Sequence, residues 1–482
     1  MSLQPAILAQ MSEQDEAGKV VRTYVLSSSS SAVGEHGKHG EGKRVDVIVP
    51  KQAHKSVLQY IIDVFLPSGF PQSVTEDYIE YQVFDSLQAF SSSIAGMLAS
   101  RAVLQGVGVG DSNATPTAAL LLSVLQESVG RMATIAFADR FGTALEPECK
   151  MYRLTADILN DSAMILDCLS PGFPKPLRVA VLSFASCLRS LCGVCAGSSK
   201  ASLSAHFATA GNLGEVNAKD SSQETVISLL GMLAGSFVVS HITSDLATWC
   251  TLILLLAIHL ATNYAAVRAV SMQSLNRQRA NILFSHILQH GIVLNPKEVS
   301  ARERIFERGG VLRWADDEVL GKCRIGTSLS ELLGRIGRRD KLSGSLAFCS
   351  SGGDDGSEVD VFDLLSIFEA EDYVLWATGG PAAYEAVIVL KAGCGPIDQL
   401  RAWAHALLVA EKRQRGGDSG GTRAKHGLVV GDLKDTLYEV RRMFDKYGDE
   451  MRAKGWNLDV AALETKAGMR LQISSTGPCT SD

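Results

Sequence analysis

One charge decides what the middle of this chain can fold into. Between Glu224 and Arg268 the sequence TVISLLGMLAGSFVVSHITSDLATWCTLILLLAIHLATNYAAV holds a single ionised side chain, Asp245. The stretches on either side, Thr225 to Ser244 and Leu246 to Val267, each reach the roughly 20 residues that a helix needs to cross a bilayer. In lipid a backbone must satisfy its own hydrogen bonds, so such runs are helical. The reading is two membrane-type helices joined near Asp245.

At 482 residues the chain has room for two or three domains. Apolar residues crowd the region from about Ser86 to Val267, and both ends are polar. The net charge of -6, without a dominant basic face, excludes a general nucleic-acid binder. Ten cysteines are scattered, the middle ones in apolar runs, which reads as reduced buried thiols and not as a secreted disulfide framework. Cys192 and Cys195 form a CxxC, but neither a preceding strand nor a second ligand pair gives it redox or zinc context. No compact apolar signal segment opens the chain, and Glu13, Asp15 and Glu16 argue against a transit peptide.

The expected class is mainly α: a polytopic helical membrane bundle followed by a small soluble α+β domain. Residues 1–50 read as a disordered tail, with a serine run and a Gly/His/Lys-rich patch, although Val45 to Val49 has strand character. Residues 51–290 form the helical membrane domain. A short helix is expected over Val57 to Phe65. A long one follows from about Glu76 to Gln105, with a capping-box spacing at Ser73 and Glu76. Its small residues repeat every four positions (Ser91, Ala95, Ala99; Ser92, Gly96, Ser100), which lets helices approach closely. Further helices run from Pro116 to about Phe141, with Thr115 as cap, from Met151 to Ser170, and from Leu177 to Ala196. Gly193-x-x-x-Gly197 and Gly231-x-x-x-Gly235 are close-packing motifs. Ser221 and Glu224 have capping-box spacing at the start of the next helix. Four to six spans are expected.

Residues 291–482 read as an ordinary soluble sequence, with strands at Tyr373 to Ala377 and Ala386 to Lys391. One helix follows Pro396 through Leu400, Trp403 and Leu407. Another, Asp432 to Lys454, sets Leu433, Leu437, Val440 and Phe444 on one face. Arg413 to Lys425 and Ser350 to Ser357 read as loops. His286 and His290 are four apart without the rest of a metal motif, so no metal site is expected.

Candidate functional residues come from polar stripes on apolar helices. Arg153, Asp157, Asn160 and Asp161 fall at i, i+4, i+7 and i+8, one face of a helix. Either that face meets water, or it faces a bundle interior with Arg153 and Asp157 as partners, since unpaired charge in a bilayer costs several kcal/mol. GVGVGD, Gly106 to Asp111, lacks the G-x-G-x-x-G spacing of a dinucleotide site and reads as a link. In AKDSSQET, helix capping accounts for Ser221 and Glu224 and leaves Lys219, Asp220 and Gln223. With Asp85, Arg101 and Asp111 these are the residues expected to line a polar interior. An anion near Lys219 at a helix N-terminus is physically reasonable. His241 and His259 look isolated and locally satisfied. No catalytic constellation, cofactor motif or metal cluster is legible, so the expectation is a non-enzyme without a cofactor.

Five separated segments occur in order: FLPSGFPQSVTEDYIEYQVFDSLQAF (65–90), SRAVLQGVGVGDSNAT (100–115), RLTADILND (153–161), AKDSSQET (218–225) and LNRQRA (275–280). Together they closely resemble the root UVB sensitive family over roughly Lys55 to Gln289. A departure is Ser221, where the family pattern AKDGSQET has glycine. The resemblance implies a eukaryotic protein of an intracellular membrane. Plant members are linked to ultraviolet-B responses, seedling and root development, auxin transport and vitamin B6 homeostasis. It also implies pairing with itself or a family paralogue, and no established catalytic activity. The expected function is handling, transport or regulation of a small polar metabolite. The alternative is a membrane scaffold or trafficking or signalling adaptor whose C-terminal domain recruits partners. Arg268, Arg277 and Arg279 after the last apolar helix predict a cytosolic C-terminal domain.

Overall fold

In a computed structural model the described residues are 6–14, 20–29, 42–48, 64–107, 116–209, 211–315, 317–336, 338–339, 346–347, 361–379, 384–417 and 430–473. Most of the expected helix over Val57 to Phe65, Asp111, Thr115 and the Ser350 to Ser357 loop lie outside them.

The N-terminal region departs from expectation. Strands β1 (Ala6–Gln14), β2 (Val20–Ser29) and β3 (Gly42–Ile48) form an antiparallel sheet in the order β1-β2-β3. The serine and glycine content suggests disorder, yet VVRTYV and VDVI carry enough β-branched residues to pair.

Six long helices follow: α1 (Tyr78–Val107), α2 (Pro116–Phe141), α3 (Cys149–Leu169), α4 (Lys175–Phe207), α5 (Leu213–His241) and α6 (Asp245–Ala269). Helix α1 is the hub, packing on α3, α5 and α6, while α4 packs on α2, α3 and α5. The four-residue stripe explains this placement. Ala95 and Ala99 are buried with Leu98 against Met164 of α3 and Leu252 and Leu256 of α6. A β-carbon on Gly231 falls 2.6 Å from Ser93 Cβ, and one on Gly235 falls 3.2 Å from Ile94 Cα, so α5 can touch the α1 backbone only through glycine. By contrast, Gly193 and Gly197 face open space among the described residues and close-pack nothing there, contrary to expectation.

That contrast gives a prediction. Gly231→Ala overpacks the α1–α5 seam and is expected to destabilise by about 1–3 kcal/mol. Gly193→Ala meets no neighbour, and its better helix propensity makes it neutral or stabilising by at most about 1 kcal/mol. Thermal midpoints of the two variants in detergent check both.

Helices α4, α5 and α6 are long and apolar enough to cross a membrane, and no more than 39% of the most apolar stretch of any of them is buried within the chain. Leu229, Leu233 and Phe237 of α5 and Leu246 and Leu254 of α6 stay exposed, an apolar surface that calls for lipid or another protein. Three helices therefore qualify among the described residues, against the four to six expected. Two helix starts also differ from the capping-box reading. α1 begins at Tyr78, with the Ser73 hydroxyl unpartnered and the entry fixed by the Val74–Ala208 bridge. α5 begins at Leu213, so Ser221 and Glu224 lie inside it and cap nothing. At the start of α6, Ser244 accepts a bond from the Ala247 N–H, a cap that the sequence reading did not assign.

Beyond the bundle, β4 (Ser274–Asn276), α7 (Arg277–His290), α8 (Pro296–Arg302), β5 (Val311–Arg313), β6 (Val319–Ile325), α9 (Leu329–Ile336), β7 (Arg338–Arg339), β8 (Leu346–Ala347), α10 (Val361–Ile367), β9 (Tyr373–Thr378), β10 (Glu385–Lys391), α11 (Pro396–Gly417), α12 (Val430–Ala453), β11 (Asn457–Ala462) and β12 (Arg470–Leu471) make an α+β domain. Strand β10 is central, parallel to β6 and β12 and antiparallel to β9. Leu400, Trp403 and Leu407 of α11 and Leu433, Leu437, Val440 and Phe444 of α12 lie in its core, as their spacing requires. Helix α11 runs on to Gly417, past the expected loop start at Arg413. Leu283, Phe284 and Ile287 of α7 belong to the same core, and β4 pairs with β11. By packing, this domain therefore gathers elements from Ser274 onward. Inside it, burial pushes His405 down to about 3, leaving a neutral ring between Tyr373 OH and Thr436 Oγ1.

Candidate functional site: a charged network inside the bundle

The polar face of α3 points inward. Arg153 spreads its guanidinium over two helices: it donates to Asp85 Oδ1 at 2.6 Å and Gln88 Oε1 at 2.8 Å on α1, and to Asp157 Oδ1 at 3.1 Å on its own helix. Tyr81 OH accepts from its Nε at 3.4 Å. Helix α6 closes the group from the other side. Asn263 donates to Asp157 Oδ2, and His259 bridges Asp161 Oδ1 at 2.7 Å and Gln88 Nε2 at 2.9 Å, with Asp157 Oδ2 at 3.4 Å. His259 and Asn263 are fully buried. The result is one continuous polar chain through α1, α3 and α6: Asp85, Arg153, Asp157, His259 and Asp161, with Gln88 and Asn263 filling gaps.

Its charge does not balance. One guanidinium faces three carboxylates, and the histidine supplies at most one further positive charge. Two acceptors, Asp161 Oδ2 and Asn263 Oδ1, are buried without a hydrogen-bond partner among the described residues. A buried acceptor left unmade is costly, so its persistence calls for an explanation such as a bound group or water. What this arrangement can do chemically is accept protons or hold a small solute that brings donors and positive charge.

The other expected residues go elsewhere. Asn160 sits beside the network, donating to Ser92 Oγ at 3.4 Å. Asp220 joins a neighbouring group, accepting from Gln82 at 2.9 Å and pairing with Lys200 at 2.7 Å; Lys200 also holds Glu224. Arg101 donates to the carbonyls of Val239 and Ile242, closing the end of α5. Lys219 and Gln223 hold the carbonyls of Val64 and Phe65, so they anchor the incoming chain. Because α5 starts at Leu213, Lys219 is not at a helix N-terminus, and the anion site considered there loses its geometry. Asp111 lies outside the described residues.

Four participants are not singled out by the sequence: Tyr81, Gln88, His259 and Asn263. A signal existed for two of them. His259 and Asn263 are four apart on an otherwise apolar helix, the same stripe logic that picks out Arg153 and Asp157. His259 is not locally satisfied; its partners are 98 and 171 positions away.

A second buried group joins the bundle to the C-terminal domain. Glu303 accepts from Lys150 of α3 at 2.6 Å and from Arg279 of α7 at 2.9 Å. Near the entrance to α1, Asp77 takes bonds from His206, Thr75 and the Ser271 N–H. Burial raises its pKa, but His206 and the other donors outweigh that and hold the carboxyl at about 2.

Residues 51–291 match the family model described as a vitamin B6 photo-protection and homoeostasis domain. RUS family member 1 of Dictyostelium discoideum is 40% identical over 267 residues, covering 55% of this chain and 51% of that protein. The chain thus spans about half the length of that relative. Protein root UVB sensitive 3 of Arabidopsis thaliana is 32% identical over 362 residues, 74% of this chain and 77% of the relative. Protein root UVB sensitive 2, chloroplastic, of the same plant is 23% identical over 407 residues, 84% and 83% of the two chains. No solved structure matches.

Proposed function

The chain belongs to the root UVB sensitive family, and from that premise we propose that it is a membrane protein whose helical domain handles or passes a small polar metabolite in vitamin B6-related homeostasis. The observation that carries this reading is the unbalanced network, Arg153 against Asp85, Asp157 and Asp161, with unpaired Asp161 Oδ2 and Asn263 Oδ1. Ionisable groups inside a membrane bundle mark solute or proton pathways unless they neutralise one another. These carry excess negative charge, so the favoured solute brings a positive group or protons. Among B6-type compounds an amine-bearing vitamer fits the interior better than a phosphorylated one. We place the C-terminal domain in the cytosol on the strength of Arg268, Arg277 and Arg279 beside the last apolar helix. The reading is of binding and passage, without catalysis.

The test is ligand-induced thermal stabilisation of the full chain in detergent across pyridoxamine, pyridoxine and pyridoxal 5′-phosphate, with amino acids and auxins as further solutes. Pyridoxamine is expected to give the largest rise in midpoint that depends on Asp161, because a ligand that binds only the folded state stabilises it. Asp161→Asn keeps the acceptor for His259 and should abolish that rise without lowering the unliganded midpoint much. If no solute stabilises the protein, or Asp161→Asn lowers abundance alone, the metabolite reading fails and the scaffold or adaptor reading takes its place. The protein is also expected to stay in the pellet after carbonate extraction.

A further inference from the structure

Outside the bundle, basic side chains from three segments converge on one cleft of about 460 Å³, a size suited to a small molecule. Helix α7 contributes His286 and His290, whose ring centroids are 4.6 Å apart. Arg302 ends α8 and Arg304 follows it; Arg313 and Trp314 come from β5 and its end. Among the described residues Asp317 is the acid in the lining, and it pairs with both Arg304 and Arg313. Glu307 takes more of Arg313, at 2.9 Å. Arg302 has no acid partner among the described residues. Among the described residues, three guanidiniums face the carboxylates of Asp317 and Glu307, which leaves one positive charge in excess on the Arg302 side of the cleft. Burial, together with the charge of His290 and Arg302, pushes His286 below its usual range.

Trp314 gives the cleft an aromatic side. Trp314 is 6% exposed, and its indole Nε1 is buried without a partner among the described residues. Ile282 and the indole supply an apolar wall beside the charges. We propose that this cleft binds a small phosphomonoester, its phosphate on Arg302 and Arg304 and its organic body against Ile282 and Trp314. Arginine is the side chain whose planar fork matches phosphate oxygens. The cleft also adjoins the last apolar helix, because Arg268 at the end of α6 holds the carbonyls of Ala301 and Glu303 on either side of Arg302. The phosphomonoester can therefore be a soluble metabolite or a lipid headgroup, and the two share one recognition chemistry.

Calorimetric titration of the full chain in detergent tests this, with phenyl phosphate, inorganic phosphate and dihexanoyl phosphatidic acid as probes. Phenyl phosphate is expected to bind more tightly than inorganic phosphate. Arg302→Ala, an exposed and uncoupled change, should weaken it about tenfold, the worth of one charge-assisted contact. Arg324→Ala, outside the cleft, should leave it within about twofold. Binding of the phosphatidic acid alone, with the same dependence on Arg302, assigns the lipid source. No binding of any probe, or binding that Arg302→Ala leaves unchanged, overturns the proposal. Asp161→Asn should not move phenyl phosphate affinity, which keeps this test separate from that of the bundle network.

Discussion

Arg153→Met is expected to cost the fold about 3–5 kcal/mol, the range seen when one member of a buried charge pair is removed. The guanidinium pairs with both Asp85 and Asp157, and through His259, itself 3.4 Å from Asp157, it shares a network with Asp161. Methionine matches the stem and removes the charge, leaving carboxylates stranded in a water-poor interior. Arg153→Lys should fall between, because one ammonium cannot reproduce a fork that reaches Asp85, Gln88, Asp157 and Tyr81 at once. Neutralising the partners should reverse much of the loss: Arg153→Met combined with Asp85→Asn and Asp157→Asn is expected to be more stable than Arg153→Met alone. Unfolding midpoints in mild detergent, read by intrinsic fluorescence and protease resistance, separate these cases. An Arg153→Met midpoint indistinguishable from the parent means that the network is solvated and that the charge counting above does not apply.

How far the sequence could lead is set by how local each determinant is. The apolar helices were legible because charge exclusion acts residue by residue, and Asp245 divides α5 from α6 without reference to anything else. Trp403 and Phe444 were assignable to a core because helical period alone puts them on an apolar face. Arg153 and Asp157 were legible as partners for the same reason. The remainder of the network was not, since which polar residues of α1 and α6 meet α3 depends on helix rotation and register. That register is set by contacts such as Gly231 on Ser93, far apart in the chain. The same non-locality misled the glycine reading: Gly231 and Gly235 meet a backbone, whereas Gly193 and Gly197, identical in spacing, meet open space among the described residues. Capping boxes failed for a different reason. Ser221 and Glu224 satisfy the pattern, but the preceding LGEVNAKD is itself compatible with helix, so the pattern marks a permitted start that the chain does not use.

Glu303→Gln should loosen the joint between the bundle and the C-terminal domain by a comparable amount, and its effect should depend on pH. Glu303 is held by Lys150 from α3 and Arg279 from α7, with all three side chains almost wholly buried. Burial alone would raise its pKa; the charges and hydrogen bonds of Lys150 and Arg279 outweigh it, so the folded value lies below the ordinary 4.5. A carboxyl depressed in the folded state contributes stability that is fully present above its unfolded pKa and is lost as pH falls through the folded value. At pH 7 the amide leaves two buried cations without their counter-charge, at a cost of about 3–5 kcal/mol. As pH falls below the unfolded value and through the depressed folded one, the parent takes up a proton at Glu303 and loses the same interaction, so the gap between the two proteins narrows. Arg268 grips the Glu303 carbonyl and not its side chain, so the variant keeps the backbone path of the joint. Denaturant midpoints of parent and variant between pH 7 and pH 3.5, with limited proteolysis of the segment between α6 and β5, measure the difference. A gap between parent and variant that stays constant across that range contradicts the charge-locked joint and reduces Glu303 to a packing residue.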